Sequence, residues 1–467
     1  MKNLILCLGF FFFLTSCDKW LTIQPENEIE KTKLYETEEG FWQALNGLYY
    51  TLGTNYGPNG HLQVGCIEFL AGMWIAGSET VEQRLIDHQY KDSETDDRLA
   101  TIFLAQYKSI AHANTILDYL NKQDFLPERS RDIIKGEALG MRAMLHFDLI
   151  RLWGPMPDNV DVNYRYLPYV QQVSKQVNAY DTYEEYMGKL AADLDSAQFL
   201  LSKYEPLLTY SCEELNKNGD DDRLELYWRQ NRFNYYAVLG LKAKLALWMG
   251  DKENALVYAQ MVKEAKNDDG NVKFRLGTAS DIDITDTEQG VNTLKAECIF
   301  GNYISYFNFQ QYYNDNDSDY KAHISNIETL FDDQNDFRYT LCWQIDPNTS
   351  GEPQYITTYK YCSYNNNWVP QIRLAEMYLI MIECASLDVA NVLYKEFCES
   401  RGVTYKELTE SNRIEVLQRE YYKEFIAEGQ VFYMNKRFGV ERMLWGGEKC
   451  AEAQYVLPIP RRESEII

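Results

Sequence analysis

The chain has 467 residues, with 70 acidic against 46 basic side chains and a formal net charge of −24. This excess of acid argues against a nucleic-acid-binding surface and against a basic membrane-binding patch, because both depend on Lys and Arg. Hydrophobic residues make up 45% of the chain, which is enough for a sizeable core and argues against global disorder. The length corresponds to roughly two to four domains, or to one large domain that carries insertions.

The first residues read as a lipoprotein leader. Lys2 is followed by an apolar run of eleven residues, Leu4–Leu14, which is too short to cross a ~30 Å hydrocarbon core. The run ends in Leu-Thr-Ser-Cys at 14–17, which resembles a bacterial lipobox. We therefore predict that residues 1–16 are a signal peptide, that Cys17 carries acyl chains such as palmitate, and that 17–37 is a tether. An ordinary signal peptide, cut nearby with Cys17 unmodified, is the alternative.

Nine segments then show apolar residues at helical spacing. The third should end at Trp153, because Gly154 and Pro155 follow and proline cannot continue a helix. The predicted helices are Glu38–Leu52, Leu99–Leu120, Ser130–Trp153, Thr182–Lys203, Arg229–Met249, Lys252–Lys266, Pro370–Leu387, Val389–Arg401 and Asn412–Ala427.

Small residues recur in one predicted helical hairpin. Ala243, Ala255 and Ala259 stand at intervals of twelve and four, as in tetratricopeptide repeats, where small side chains let two helices approach closely. Any tightly packed helical hairpin would satisfy the same pattern.

The segment 268–368 has a different character. It is rich in Asn, Asp and Tyr and lacks a helical period, so we predict loops, short strands and brief helices. A structureless stretch of this length is unusual in a compact domain unless it carries function. We expect one domain over 38–467, with a helical scaffold at about 38–267 and 369–467 and a loop-rich insertion at about 268–368.

Catalytic and metal-binding motifs do not stand out. The five His residues form no HExxH motif, and the sequence has no GxSxG elbow, phosphate-binding loop or dinucleotide fingerprint. The dispersed cysteines lack zinc-ligand spacing. They permit disulfides in an exported protein, with Cys342–Cys362 as a first choice among several open pairings. We predict no catalytic residue, no metal site and no cofactor.

Calcium is the one ion that needs separate consideration. Asp315, Asp317 and Asp319 alternate, but Tyr320 stands where an EF-hand requires Gly. A solvated loop is therefore favoured, although a calcium ion bound in another way stays open.

Aromatic residues interleaved with amides are the more informative pattern, because flat rings edged by hydrogen-bonding groups suit the faces and hydroxyls of sugars. Many of these rings could instead pack the loops against the helices. One cluster comprises Asn302, Tyr303, Tyr306, Phe307, Asn308, Phe309, Tyr312, Tyr313 and Asn314, followed by Trp343, Tyr355, Tyr359, Tyr361, Tyr364 and Trp368. The other, after the first helix, comprises Tyr56, Asn59, His61, Glu68, Met73 and Trp74, and we expect the two clusters to face each other.

Five blocks in the same order resemble the SusD/RagB family of surface glycan-binding lipoproteins from Bacteroidota. They are CDKWL at 17–21, GEALGMRAMLHFDLIRLWGPMP at 136–157, PQIRLAEMYLIMIEC at 370–384, REYYKEFIAEGQVFYMNKRF at 419–438 and YVLPIPRRE at 455–463. The family usually has Asp where this chain has Tyr433, a departure that bears on an ion pair with Lys436 or Arg437. The charged Arg142, Arg419, Glu424 and Glu428 on these otherwise apolar helices suggest ion pairs between helices.

The resemblance implies a mainly α fold, in which a tetratricopeptide-repeat-like helical scaffold supports a loop-rich, irregular ligand-binding region. It implies a non-catalytic lipoprotein of the outer membrane that faces outward. Such a protein captures an oligosaccharide and delivers it to a SusC-like TonB-dependent transporter. A surface glycoside hydrolase and an adhesin-type structural protein are the alternatives, and the identity of the glycan or peptide ligand stays open.

Candidate ligand contacts follow from position and residue type. Trp74 leads, because the loop after the first helix commonly contributes a Trp in this family. The other candidates would stack on sugar rings or bond to hydroxyls; they are Tyr56, His61, Tyr306, Tyr312, Trp343, Asn302, Asn308 and Arg338.

Overall fold

The computed structural model describes residues 33–57, 60, 62–174, 176–217, 224–282, 294–304, 320–345, 355–358, 360, 368–446 and 449–461. Of the residues predicted above to have a function, Cys17, His61, Tyr306, Asn308 and Tyr312 lie outside these ranges. So do Cys362 and the aspartates at 315, 317 and 319.

Helices dominate the described residues, which confirms the predicted mainly α fold. Each of the first seven long helices contacts the next one along the chain. None of the helices in the described ranges has the length and apolar character needed to cross a membrane. The long helices are α1 (Glu38–Tyr56), α2 (Ser93–Lys122), α3 (Glu128–Trp153), α4 (Tyr183–Tyr204), α5 (Tyr235–Trp248), α6 (Lys252–Lys263), α7 (Leu374–Cys384), α8 (Leu387–Arg401), α9 (Arg413–Phe425) and α10 (Val431–Phe438).

Shorter elements complete the described fold. A π-helical turn at Leu62–Ile67 runs into a short helix at Glu68–Leu70, and further short helices are Val81–Ile86, Cys212–Leu215, Ile324–Leu330, Phe337–Thr340 and Glu452–Tyr455. The strands are β1 (Arg165–Leu167), β2 (Asp181–Thr182), β3 (Cys298–Tyr303), β4 (Lys321–His323), β5 (Trp343–Ile345), β6 (Tyr355–Thr358) and β7 (Trp368–Arg373). They form three antiparallel sheets, in the orders β1–β2, β3–β7 and β4–β6–β5.

The small residues of the predicted hairpin lie where two helices meet. α5 and α6 pack against each other, and α6 also packs against α7. Ala243, Ala255 and Ala259 are fully buried there, so the backbones of the two helices can approach closely.

Two predicted helices begin several residues later than expected. Residues 370–373 belong to β7, in which Pro370 pairs with Gly301 of β3, and α7 begins only at Leu374. Segment 229–234 lies outside α5, because the Asn234 side chain accepts a hydrogen bond from the amide of Ala237 and so caps a helix that begins at Tyr235. Helix α10 was not predicted.

The ion pairs expected between helices are present. Arg142 of α3 pairs with Asp193 of α4 at 2.6 Å, and the fully buried Arg229 pairs with Glu137 and Glu205, each at 2.7 Å. In contrast, Arg419 donates mainly to backbone carbonyls, at 2.9 and 3.0 Å. Buried charges that are paired in this way fix the relative position of the elements that carry them.

Lys436 and Arg437, the two cations considered as ion-pair partners for position 433, both bind elsewhere. Lys436 donates to the carbonyl oxygens of Arg151 and Gly154 at 2.7 and 2.8 Å, and Arg437 pairs with Glu383 at 2.6 Å. The Tyr433 ring instead lies 3.6 Å from the guanidinium carbon of Arg151.

Candidate ligand-binding site

Aromatic rings from three separate segments meet where the loop after α1 reaches the β4–β6–β5 sheet. The amide of Ile75 donates to the carbonyl of Lys321 at 2.9 Å, which ties this loop to β4. The rings of Phe69, Trp74, Tyr320 and Trp343 gather around this bridge, and we call these four residues the aromatic junction.

The geometry of the junction is that of packed, tilted rings. The Trp74 ring centroid lies 5.4 Å from that of Tyr320, nearly edge to face, and 6.2 Å from that of Trp343. Phe69 lies 5.1 Å from Tyr320. These spacings are typical of favourable aromatic pairs. The meeting of Trp74 with Trp343 matches the expectation that the two aromatic clusters face each other.

A buried carboxylate holds Trp74 in place. Its indole Nε1 donates to Glu68 Oε2 at 2.9 Å. The same carboxylate accepts hydrogen bonds from the amides of Ala427 and Gly429, at 2.9 and 2.5 Å. Burial of Glu68 away from water raises its pKa to about 7, against the opposing effect of these donors and of Lys360. Glu68 therefore connects the junction to a segment about 360 residues further along the chain.

The turn that Glu68 binds, residues 426–430, is held from several directions. Ala427 and Gly429 both have φ near +65°, a conformation that is costly for alanine. The side chain of Gln63 donates to the carbonyl of Glu428 at 2.9 Å, and Lys360 donates to the carbonyl of Ile426 at 3.2 Å. The loop after α1, the insertion and the C-terminal helices thus converge on one turn.

Trp343 also borders a small cavity. The cavity brings Trp343 together with Arg338, so three of the predicted contact residues, Trp74, Trp343 and Arg338, lie in one part of the molecule. Its lining is Ile282, Leu294, Phe337, Arg338, Cys342, Trp343, Lys360, Lys423, Glu424 and Ile426.

Arg338 is engaged in ion pairs. Its Nε and one terminal nitrogen donate to Asp336 at 2.9 and 2.7 Å, and its other terminal nitrogen lies 2.8 and 3.0 Å from Glu420 and Glu424. Glu424 also pairs with Arg373 of β7 and Arg401 of α8, at 2.7 and 3.0 Å. The guanidinium of Arg338 therefore joins the insertion to the C-terminal helices.

Tyr56 and Asn302 lie apart from the junction. Tyr56 is buried in the scaffold, where its hydroxyl donates to Asp148. Asn302, on β3, is 2% exposed, and its carboxamide has no hydrogen-bond partner among the residues that the structure describes. Its neighbour Tyr303, at the end of β3, is 55% exposed and offers an accessible ring.

The two central tryptophans present little surface. Trp74 is 3% and Trp343 is 9% exposed, so most of each ring is buried within the junction. Sequence reasoning did not single out Tyr320 or Phe69. Tyr320 follows the Asp-rich run at 315–319 and immediately precedes β4. An aromatic residue next to a strand, after an aromatic-rich segment, was the sequence signal that could have identified Tyr320 as part of the site.

No group of three or more His, Cys, Asp or Glu side chains in the described ranges is arranged to hold a metal ion. His146 is buried and accepts a hydrogen bond from the amide of Val170 at 3.2 Å, while its other ring nitrogen lies 2.8 Å from the Tyr186 hydroxyl.

Comparisons with known proteins agree with this architecture. Residues 19–211 match the family described as "Starch-binding associating with outer membrane", SusD-like. A SusD-like protein from Formosa agariphila is 24% identical over 173 residues, which are 34% of this chain and 31% of that protein. The chain thus spans less than a third of that relative in the alignment.

Solved structures extend the likeness to the whole fold. A SusD superfamily protein from Bacteroides thetaiotaomicron has a TM-score of 0.70 at 17% identity, covering 92% of this chain and 98% of that one. Surface glycan-binding protein A of the same organism, solved with laminarihexaose, has a TM-score of 0.64 at 14% identity, covering 92% and 97%. A laminarin-binding SusD-like protein gives 0.64 at 15% identity, covering 91% and 96%. These likenesses confirm the tetratricopeptide-repeat-like fold, and the match of residues 19–211 agrees with the predicted resemblance to the SusD-like family.

Proposed function

We propose that this chain is a non-catalytic lipoprotein of the outer membrane that binds an oligosaccharide and delivers it to a SusC-like TonB-dependent transporter. Cys17 carries the lipid anchor in this proposal, and the protein faces outward. The observation that carries it is the aromatic junction, placed beside the loop-rich insertion of a fold shared with glycan-binding proteins.

The physical basis is the complementarity between sugars and this part of the chain. Residues 305–319 lie in sequence between the exposed ring of Tyr303 and the junction at Tyr320, and they contain Tyr306, Asn308 and Tyr312. We expect these rings to stack on sugar faces, with amides such as Asn308 bonding to hydroxyls.

Stacking with a few hydrogen bonds gives moderate affinity, since ordering the ligand offsets part of the contact energy. That suits a protein that must pass its ligand on. Arg338 contributes here by positioning the wall of the cavity beside Trp343, because its guanidinium already binds three carboxylates.

A soluble-glycan panel tests binding and catalysis together. The purified chain is titrated by calorimetry with laminarin, starch, xylan, alginate and chondroitin sulfate, and reducing ends are assayed in the same mixtures. Saturable binding of a glycan with no new reducing ends supports the proposal. Accumulating reducing ends would identify a glycoside hydrolase, and no binding to any glycan would overturn the proposal.

Anchoring and partnership are tested separately. Mass spectrometry of the native protein should find a diacylglyceryl thioether and an acylated amine at Cys17, and an unmodified thiol would contradict the anchor. Affinity purification from outer membranes should recover a TonB-dependent transporter. Recovery of the chain alone would favour the adhesin alternative.

A further inference from the structure

The described chain begins at one end of the helical scaffold. Tyr35 is buried there, with its ring centroid 4.2 Å from that of Tyr119, on which it stacks, and 5.0 Å from that of Phe41. These contacts fix the entry of the chain beside the start of α1 and the end of α2. We call this end of the scaffold the tether pole; it comprises residues 33–41, 118–132 and 199–204.

The pairing of α3 with α4 brings the start of one and the end of the other to the tether pole. Lys203, near the end of α4, pairs with Asp132 in the first turns of α3 at 2.8 Å. Further along, the hydroxyl of Tyr186, near the start of α4, donates to the carbonyl of His146 at 2.8 Å. The two helices are therefore antiparallel. Because α3 has 26 residues, the segment that follows it begins about 39 Å from the pole.

Two exposed phenyl rings stand on the tether pole. Phe199, on α4, is 64% exposed, and the amine of Lys203 lies 4.6 Å from its ring centroid. Phe125, in the connection between α2 and α3, is 44% exposed and lies 6.3 Å from Phe41 between ring centroids. They are the two most exposed phenylalanines of the described ranges. Exposure of apolar rings to water is unfavourable, so their occurrence at one end indicates a contact surface.

The chain that leads to the predicted lipid anchor indicates what covers these rings. Lys33 is sixteen residues after Cys17, and a segment of that length spans at most about 55 Å. An acylated Cys17 would therefore hold the tether pole near the bilayer, at a high effective concentration of lipid surface. Weak apolar contacts are then enough to populate a docked state, in which phenyl rings enter the boundary between headgroups and acyl chains.

The charges of the pole fit a lipid surface that carries little net charge. Lys33 and Arg129 are exposed and can contact lipid phosphates. Glu36, Glu39 and Asp124 are exposed on the same pole. Because both signs are present, an anionic surface would be neither strongly attracted nor strongly repelled. We therefore expect docking to depend on the apolar rings and to occur on zwitterionic lipid.

We propose that the tether pole lies on the lipid surface of the outer membrane, with the rings of Phe125 and Phe199 inserted at the headgroup boundary. This inference rests on the lipid anchor of the proposed function and assigns a second contact between the protein and the membrane. Docking at one end orients α3 and α4 relative to the bilayer. It leaves the opposite end of α3, which is followed by the β1–β2 hairpin, away from the lipid.

Hydroxyl-radical footprinting read by mass spectrometry tests the inference, because it measures the solvent access of single side chains. The native lipidated protein, anchored in vesicles of phosphatidylethanolamine and phosphatidylcholine, is compared with the unlipidated Cys17→Ser chain added to the same vesicles. Oxidation of Phe125 and Phe199 should be at least about threefold slower in the anchored protein. Tyr164, which is 59% exposed beyond the far end of α3, should be oxidised at the same rate in both.

The contrary outcomes separate this inference from the proposed function. Anchored protein whose two phenyl rings are oxidised as fast as in the unlipidated chain would overturn the inference and leave the proposed function intact. Protection that appears only in native outer membranes, and not in the vesicles, would also overturn it and would identify a protein as the partner of the pole. Protein that does not remain with the vesicles would contradict the lipid anchor itself, on which both proposals depend.

A double variant tests the role of the rings. In anchored F125S/F199S, acetylation of Lys122, an exposed amine at the pole, should rise to the rate found in the unlipidated chain. The matched control V162S/Y164S removes two exposed apolar side chains beyond the far end of α3. It should leave Lys122 as protected as in the unaltered anchored protein. Equal Lys122 acetylation rates in the two anchored double variants would refute docking through the phenyl rings.

Discussion

Replacing Glu68 with glutamine should change how the stability of the protein depends on pH. Glu68 is fully buried and has its pKa raised to about 7, whereas a glutamate in an unfolded chain titrates near ~4.3. The folded protein therefore binds a proton that the unfolded chain does not hold between these values. Stability from this proton is fully present below about pH 4.3 and is lost as pH rises through about 7.

The magnitude follows from linkage. Between pH 8 and pH 5.5, the unaltered chain should gain about 2 kcal/mol in its free energy of unfolding from Glu68 alone. Glu68→Gln cannot gain this amount, although it also loses an acceptor for the Trp74, Ala427 and Gly429 donors. The absolute stability of the variant is therefore less informative than the change with pH.

Urea denaturation, followed at several pH values for both proteins, measures this difference. The other titrating groups are shared and cancel in the comparison. Curves of unfolding free energy against pH that stay parallel from 8 to 5.5 would refute the reasoning. Such a result would mean that Glu68 titrates alike in the folded and unfolded chains.

Three further predictions concern buried charge, a buried histidine and the site. Arg229→Ala should lower the free energy of unfolding by about 3–5 kcal/mol, because it removes the cation shared by the buried carboxylates of Glu137 and Glu205. Arg165→Ala, at an exposed pair, should cost less than about 1 kcal/mol. Equal losses in urea denaturation would contradict this. Burial lowers the pKa of His146 well below its usual value, so the free energy of unfolding should fall as pH drops below about 6.5. This loss should be smaller in His146→Gln. Identical curves of unfolding free energy against pH for the two proteins would contradict the prediction. Trp74→Ala should weaken glycan binding at least about tenfold. The control Trp445→Ala, at a half-buried ring near α10, should leave the affinity within about twofold. Both affinities are measured by calorimetry on variants that thermal unfolding has shown to be folded.

Local signals in the sequence were sufficient for much of the scaffold. Apolar spacing located most of the long helices, and Gly154 with Pro155 marked the end of α3. The start of α7 was missed because β7 forms only by pairing with β3, some 70 residues earlier in the chain. The hydrophobic pattern of residues 370–373 does not by itself identify β3 as the partner strand.

The candidate site, too, was predicted only in part from the sequence. The residue types indicated that the two aromatic clusters could face each other, and the contact of Trp74 with Trp343 agrees with this, but the sequence did not single out that pair. Packing of such rings against the helices was one of the two alternatives, and the burial of Trp74 and Trp343 depends on Phe69 and Tyr320 and on Glu68 binding a distant turn. Arg338 resembled a free hydrogen-bond donor in the sequence, but its carboxylate partners Glu420 and Glu424 lie more than 80 residues away.

A crystal structure of the chain with an oligosaccharide selected from the panel tests the central claim most directly. We predict an uncut oligosaccharide with a sugar ring against the aromatic junction, within van der Waals distance of Trp74, Trp343 or the tyrosines of 305–319. A cleaved sugar, or an intact one bound at a surface remote from the junction, would contradict the account.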